Sequence, residues 1–483
     1  MEQYTITFLP EYQTVTAHPG ENLLQVQIRA GLHPDAPCGG KGTCGKCKVM
    51  VDGQEVLACQ TMADRNMTVL LPSNGGNRIL TGGLQVNCTP DGTSAYSLAF
   101  DIGTTTVVCY LLDGRSGKLL AQASTMNPQA QFGADVISRV QEVLDTGTDE
   151  LMRCIRRALV QLTEDVCAEA GITPMQIGAA AIVGNTAMHH LMLGIDPKPL
   201  VTPPYMPAVF DAMEVEDLLP IAGTVRVLPN IAGFVGGDTV GCMAATRFDQ
   251  LDELTLMIDI GTNGEMVLGD RNRRIACSTA AGPAFEGAKI SCGMRGADGA
   301  VDHVWLEDGE VRYHVIGDTA PKGLCGSGLL DLVAVLLGAE IIDESGRLEG
   351  KSYQLGDSDV VLTQKDVREV QLAKAAIRAG IELLCAQLGV KLEQIRKVCL
   401  AGAFGNYLDP ASACRIGMIP PVLLARIQPI GNAAGEGAKL SALSREEYVY
   451  AQSLARGTEF LELASLPDFQ DCYVDALEFE EEV

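Results

Sequence analysis

Two distant stretches of the chain repeat one pattern. Leu98-Ala99-Phe100-Asp101-Ile102-Gly103-Thr104-Thr105-Thr106 is echoed by Leu256-Met257-Ile258-Asp259-Ile260-Gly261-Thr262-Asn263-Gly264. Each is an apolar strand, then Asp-x-Gly-Thr, then a second strand (Val107 to Leu111; Glu265 to Leu268). Two copies of one supersecondary unit predict a duplicated fold with two similar lobes. Glycine in the turn lets the backbone approach an anion closely. The following Thr hydroxyls and backbone N–H groups can bond phosphate oxygens. A carboxylate repels phosphate, so each Asp is suited to holding Mg²⁺ or a metal-bound water. Two such hairpins facing each other would grip the phosphates of one nucleotide. One Asp-x-Gly-Thr is weak evidence; two, each between strands, are much stronger.

Further glycine turns follow in order. Ala180-Ala181-Ile182-Val183-Gly184-Asn185 leads from a strand into a helix, as does Val398-Cys399-Leu400-Ala401-Gly402-Ala403-Phe404-Gly405. Gly431-Asn432-Ala433-Ala434-Gly435 opens another helix. Each alone reads as an ordinary strand-to-helix turn. Together they resemble the phosphate-1, connect-1, phosphate-2, adenosine, connect-2 series of the acetate kinase, sugar kinase, Hsp70 and actin (ASKHA) superfamily. The resemblance implies phosphate contacts from Asp101, Gly103, Thr104, Thr105 and Thr106, and from Asp259, Gly261, Thr262 and Asn263. It sets Gly402, Ala403, Phe404 and Gly405 near adenosine, and makes ATP with Mg²⁺ the expected ligand. Glu265 is a candidate base or water-positioning residue, with a strand residue bonded to a nearby turn as the equal alternative. Gly323 to Asp331 resembles an anion turn opening a helix. His189 and His190 are adjacent, face different sides of a helix, and read as structural.

Ahead of this region stand Cys38, Cys44, Cys47 and Cys59, spaced C-x5-C-x2-C-x11-C, in a loop with Gly39, Gly40, Gly42 and Gly45. Four thiolates on a glycine-rich wrap suit a [2Fe–2S] cluster. Zinc also uses C-x2-C, but more often in two separated pairs. The flanks predict strands over Tyr4–Phe8 and Thr14–Ala17, a helix over Glu21–Ala30, and a hairpin of Lys48–Val51 with Glu55–Ala58 about Asp52-Gly53, which returns Cys59 to the loop. The stretch resembles β-grasp [2Fe–2S] ferredoxins, one residue longer in the first loop than the plant-type spacing.

The expected organisation is a ferredoxin-like α+β domain over 1–72, a polar linker over 73–97, a two-lobed α/β ASKHA core over 98–250 and 251–465, and an acidic tail over 466–483. The tail carries seven acids and no base and reads as a solvated or disordered terminus. A linker of about 25 residues can span several tens of ångströms when extended. The net charge of −25 argues against nucleic acid and anionic membranes as partners. Residues 1–80 are nearly neutral, with seven acids and six bases. The start lacks a basic, then apolar, leader pattern. The longest apolar run, Leu329 to Ile342, is too short to span a bilayer. Twelve of the sixteen cysteines are scattered singly, which fits thiols in a reducing cytoplasm.

A [2Fe–2S] domain fused ahead of such a core resembles the reductive activators of corrinoid proteins. Family members often carry an extra domain between linker and core; here the core begins at Leu98, so the chain resembles a compact version. The resemblance implies transfer of one electron to return Co(II) corrinoid to Co(I) in an anaerobic methyltransferase system. A low-potential donor reloads the cluster, and a homodimer is compatible with the family. Plant-type [2Fe–2S] centres lie near about −400 mV, above the cobalt couple, and each ~59 mV of gap costs tenfold in equilibrium. ATP must therefore favour one state of the complex over another. The small, weakly polar block Ala276 to Met294 is a candidate corrinoid-facing surface, with Ser278 as a cobalt-side oxygen. Its alternatives are a lobe connection with buried thiols, or a second cluster on Cys277 and Cys292.

Three rivals remain at this level. Activators of 2-hydroxyacyl-CoA dehydratases hold a [4Fe–4S] cluster between subunits, which the four N-terminal cysteines argue against. The others are a small-molecule kinase with a fused redox sensor and an ATP-gated scaffold holding zinc.

Overall fold

The computed structural model describes residues 4–9, 13–18, 20–30, 32, 34, 36, 39–43, 45–51, 54–71, 88–261 and 263–479. Cys38, Cys44, Thr262 and residues 72–87 of the linker lie outside the described residues, as does the side chain of Ala403.

The N-terminal sheet contains β1 (Tyr4–Leu9), β2 (Gln13–Ala17), β3 (Lys48–Val51), β4 (Gln54–Leu57) and β5 (Met67–Leu70), in the order β2-β1-β5-β3-β4. β1 and β5 run parallel, which gives the grasp its crossover. Alternation sends Ile6 and Phe8 inward. The helix Leu23–Arg29 starts at Asn22, whose side chain accepts from the Gln25 N–H while the Gln25 side chain accepts from the Asn22 N–H, a reciprocal cap. Leu23, Leu24 and Val26 close the core against the sheet. The β3–β4 hairpin pairs Lys48 with Leu57 and Val51 with Gln54.

The core repeats itself. In the first lobe, β6 (Tyr96–Ile102), β7 (Thr106–Asp113) and β8 (Leu119–Met126) form an antiparallel meander, and β9 (Ile177–Gly184) and β11 (Thr224–Val227) extend it in parallel beyond β6, with β10 (Met213–Val215) at the edge. In the second lobe, β12 (Thr255–Ile260), β13 (Gly264–Gly269) and β14 (Arg274–Thr279) form the same meander. Small ribbons follow: β15 (Ala300–Glu307), β16 (Glu310–Val315) and β17 (Gly323–Leu324), then β18 (Ser352–Gln354) and β19 (Val361–Thr363). β20 (Lys397–Ala401) and β21 (Ile427–Gly431) then extend β12 in parallel, and β22 (Glu459–Phe460) edges β14.

Period-two alternation assigns the faces. Leu98, Phe100 and Ile102 pack outward with the helix Asp149–Ala170, and Leu256, Ile258 and Ile260 pack outward in the second lobe with the helices Gly326–Gly338 and Gln364–Leu388. Ala99 and Met257 face a shared inner layer with the helices Gly237–Thr246, Ala433–Leu443 and Arg445–Arg456. These strands are apolar on both faces because both are covered. The two inner helices meet through glycine: a β-carbon on Gly437 would lie 2.2 Å from the Gly241 carbonyl oxygen.

The acidic tail departs from the expectation of a solvated terminus. Residues Phe469–Asp475 are helical, Leu466, Phe469, Cys472 and Tyr473 pack on the second lobe, and Phe479 is 3% exposed. Lys374 donates to the Glu478 carbonyl, and its ammonium lies 5.2 Å from the Phe479 ring centroid. The acids Asp468, Asp471, Asp475 and Glu478 face solvent. Composition recorded the charge, while the interleaved aromatic residues supply the adhesive face.

Candidate functional site between two lobes

Strand register builds the site. Asp259 lies opposite Glu265, and Glu265 opposite Ser278, with Ala401 on the other side of Asp259. Ala401, Asp259, Glu265 and Ser278 thus form one row across four strands. They follow the parity of Met257, Val267 and Ala276, so they face the inner layer, towards the first lobe. Asp101 shares the parity of Ala99 and faces the same layer from the other side. The two Asp-x-Gly hairpins therefore confront each other, as the repeat predicted. Each turn closes on its own glycine, the second one residue tighter: the Gly103 N–H donates to Thr106 O (2.8 Å), and the Gly261 N–H to Asn263 O (2.9 Å).

The carboxylates are held in strained electrostatic company. Burial pushes Asp101 up to about 6, against a hydrogen bond from Asn432 that lowers it. Burial, then Asp238 and Asp101, push Asp259 up to about 7. Burial, then Asp238 and Asp259, hold Glu265 well above the usual carboxylate range. Asp238 itself is pushed by burial to about 6. A group of repelling acids gains from any cation placed among them. Among the described residues no three His, Cys, Asp or Glu side chains converge closely enough to hold a metal ion directly.

Asp238 was not singled out in the sequence. It sits in Gly236-Gly237-Asp238-Thr239, in the first turn of an inner-layer helix, and a glycine-Asp-Thr turn after β11 was the available signal. Asn432 was noticed only as part of a turn. Its Nδ2 donates to Asp101 Oδ2 (2.8 Å) and its Oδ1 accepts from the Gly435 N–H (2.8 Å), so it caps a helix while joining the lobes. Asn185, at the strand-to-helix turn after β9, donates to Thr104 Oγ1 (2.9 Å) and caps its own helix by accepting from the Met188 N–H. His189 and His190 are buried, the former bonded to Asn230 and pushed down to about 4 by burial, as structural residues would be.

The adenosine-type turn joins this site. Gly402 has φ +83° and a β-carbon there would lie 2.5 Å from Asp259 Oδ1. Phe404 stacks on Phe285 with centroids 4.7 Å apart and planes 8° apart. A β-carbon on Gly326 would lie 2.8 Å from the Phe404 ring, so the Gly323–Asp331 turn abuts this region. Thr105 donates to Glu286 of the second lobe. A small cavity beside the first hairpin is lined by Val136, Asn185, Thr186, Gly233, Phe234 and Asn263.

In the N-terminal domain the hairpin brings Cys59 back to Cys47, whose Sγ accepts from the Cys59 N–H at 3.5 Å. Gly39, Gly40, Gly42 and Gly45 all have positive φ, from 59° to 82°, the wrap that sulfide-bearing clusters require. Cys277 is fully buried in the second-lobe core, and Cys292 accepts from the Val361 N–H (3.4 Å); the two are not a ligand pair in any described metal group.

Residues 6–67 match the 2Fe-2S iron-sulfur cluster binding domain, residues 96–251 the RACo middle region, and residues 253–483 the C-terminal domain of RACo, the ASKHA domain. Corrinoid activation enzyme RamQ of Eubacterium limosum is 39% identical over 414 residues, 78% of this chain and 69% of that protein. The chain belongs to the reductive activators of corrinoid proteins. A second relative, [Co(II) methylated amine-specific corrinoid protein] reductase of Methanosarcina barkeri, is 28% identical over 370 residues, 67% of this chain and 66% of that protein. The solved reductive activator for corrinoid, iron-sulfur protein superposes with a TM-score of 0.72 at 31% identity, covering 99% of this chain and 98% of that one. In this activator the segment read as the first lobe is the one that matches the family's middle region. No helix among the described residues is long and apolar enough to cross a membrane.

Proposed function

We propose that this activator uses ATP to drive one electron from its N-terminal [2Fe–2S] cluster to the Co(II) of a corrinoid protein, restoring Co(I) for methyl transfer. The observation that carries the reading is the presence, on one chain, of the four-cysteine glycine wrap and the two Asp-x-Gly hairpins facing across a cleft. Cys38, Cys44, Cys47 and Cys59 hold the cluster, which supplies a single low-potential electron. A soluble low-potential donor reloads it, in an anaerobic cytoplasm.

Gly103, Thr104, Thr105 and Thr106 on one side, and Gly261, Thr262 and Asn263 on the other, bind the phosphates of ATP. Asp101 and Asp259 orient Mg²⁺ through its water shell, and Asp238 adds negative charge beside them. Glu265, opposite Asp259 in the strand register, orients the water that meets the terminal phosphate. Gly402, Ala403, Phe404 and Gly405 border the adenosine. Ser278, at the end of the same row, offers a hydroxyl towards cobalt. Asn432, bonded to Asp101 from the second lobe, reports the state of one lobe to the other.

ATP turnover separates this from a small-molecule kinase. Hydrolysis should rise when Co(II) corrinoid protein is added and should ignore sugars and carboxylic acids. Steady phosphorylation of a small molecule without corrinoid protein contradicts the reading.

A further inference from the structure

A charged side chain stands in an apolar row of the first lobe. The helix Val136–Thr146 starts at Asp135, which accepts from the Ser138 N–H (2.7 Å), and it buries Val136, Arg139, Val140 and Val143. That spacing is one face of a helix. Its apolar members pack in the outer layer of the lobe, with Ile102 and Met188. Arg139 is 0% exposed, and among the described residues its guanidinium has no carboxylate partner. It donates instead to Gly133 O (2.9 Å), Thr104 O and Met188 Sδ (3.4 Å). Burial pushes its pKa down to about 10, so it remains a cation at neutral pH. A buried cation without a counter-charge is costly, and an apolar residue would fill this row without that cost.

The partner of Arg139 is the first Asp-x-Gly turn, whose carbonyls are all tied to the same side. Asn127 Nδ2 donates to Gly103 O (2.7 Å), Arg139 Nη2 to Thr104 O, and the Asn127 N–H to Thr105 O (2.8 Å). In a planar trans peptide the C=O and the following N–H point in opposite directions. The N–H groups of Thr104 and Thr105 therefore point away from Asn127 and Arg139. Among the described residues neither N–H donates to a protein acceptor. Arg139 lies with the outer layer, whereas Asp101 faces the inner one, so the free N–H groups are presented on the cleft side. Asn185 donates to Thr104 Oγ1, which leaves that hydroxyl proton for another acceptor as well.

We propose that Arg139, braced by Asn127, is the positioning residue of the first phosphate turn: it holds the Thr104 carbonyl back so that the Thr104 and Thr105 N–H groups meet a phosphate oxygen of ATP. The inference rests on the nucleotide reading above and names a residue which that reading lacks. Two physical effects make a cation the suitable anchor. A peptide whose carbonyl is bonded to a guanidinium is polarised, and its N–H becomes a stronger donor. A buried positive charge behind the turn also favours an anion in front of it, where low dielectric preserves the attraction. Asp101, Asp238 and Asp259 repel the phosphates from the cleft side, and Arg139 offsets part of that repulsion from behind.

The test uses the full chain with its cluster loaded, labelled with ¹⁵N-threonine, and Mg²⁺ with a non-hydrolysable ATP analogue. In the wild-type protein the Thr104 and Thr105 amides should exchange freely with solvent and slow by at least about tenfold at saturation, because hydrogen bonding sets that rate. Arg139→Met should bind the analogue about a hundredfold more weakly and Arg139→Lys about tenfold, the scale of one or two hydrogen bonds to a charged group. At saturation Arg139→Lys should lack the slowing at Thr104 and Thr105, a readout that a general loss of stability would not single out. Should Arg139→Met fail to fold, the wild-type amides and Arg139→Lys still decide. Analogue binding that leaves the wild-type Thr104 and Thr105 amides unprotected, or Arg139→Lys with wild-type affinity and protection, overturns the positioning role alone. No analogue binding by the wild-type protein overturns the ATP reading and this role with it.

Discussion

Gly402 and Asp259 approach so closely that a β-carbon on the glycine would lie 2.5 Å from the carboxylate Oδ1, and the glycine's φ of +83° is one that side chains rarely adopt. Gly402 and Asp259 thus fix each other's position. Gly402→Ala should cost about 1–3 kcal/mol through backbone strain and displace Asp259. ATP turnover should fall at least about tenfold, checked by steady-state hydrolysis beside a thermal melt.

The acidic cluster predicts a pH effect on the nucleotide-free protein. Asp101, Asp238 and Asp259 bind protons up to about 6, 6 and 7, above the ordinary 3.8. The folded protein keeps protons that the unfolded chain has released. Their contribution to stability is complete below pH 3.8 and is lost as pH rises through about 6–7. Asp259→Asn should therefore raise the melting temperature at pH 8 by at least about 2 °C, with a smaller gain at pH 5, while hydrolysis is lost. Calorimetry at the two pH values checks the sign.

The inner helices leave no space at Gly437, where a β-carbon would lie 2.2 Å from the Gly241 carbonyl oxygen. A backbone oxygen cannot yield without moving its helix. Gly437→Ala should destabilise by about 1–3 kcal/mol, measured by denaturant unfolding.

Phe479 anchors the tail beneath Lys374. Phe479→Ala should cost about 3 kcal/mol and increase protease cutting between 466 and 479. Charge-neutralising changes at the exposed Asp471 and Asp475 should stay within about 0.5 kcal/mol.

Cys59→Ser should abolish iron binding and visible absorption. The melting transition of residues 98–479 should persist, because that core is built from its own two sheets. Iron analysis and calorimetry on one preparation decide it.

Local pattern made much of this legible. Asp52-Gly53 between two short runs announced the hairpin that returns Cys59, and the Asp101 and Asp259 repeats announced two facing hairpins. The missing pieces are contacts between distant segments. Asp238 meets Asp259 only because a helix of one lobe packs inside the shared layer, and Thr105 meets Glu286 across the cleft. Neither pairing leaves a periodic signal. The tail was misread because net charge outweighed Phe469, Tyr473 and Phe479, whose apolar surface docks it.

The most direct test is the visible spectrum of a Co(II) corrinoid protein from a neighbouring methyltransferase operon, mixed without oxygen with the pre-reduced activator. Co(I) should form with Mg²⁺ and ATP, fail to accumulate without ATP, and fail with Asp259→Ala. Equal Co(I) formation with and without ATP, or none with any cognate corrinoid protein, would contradict ATP-driven electron transfer.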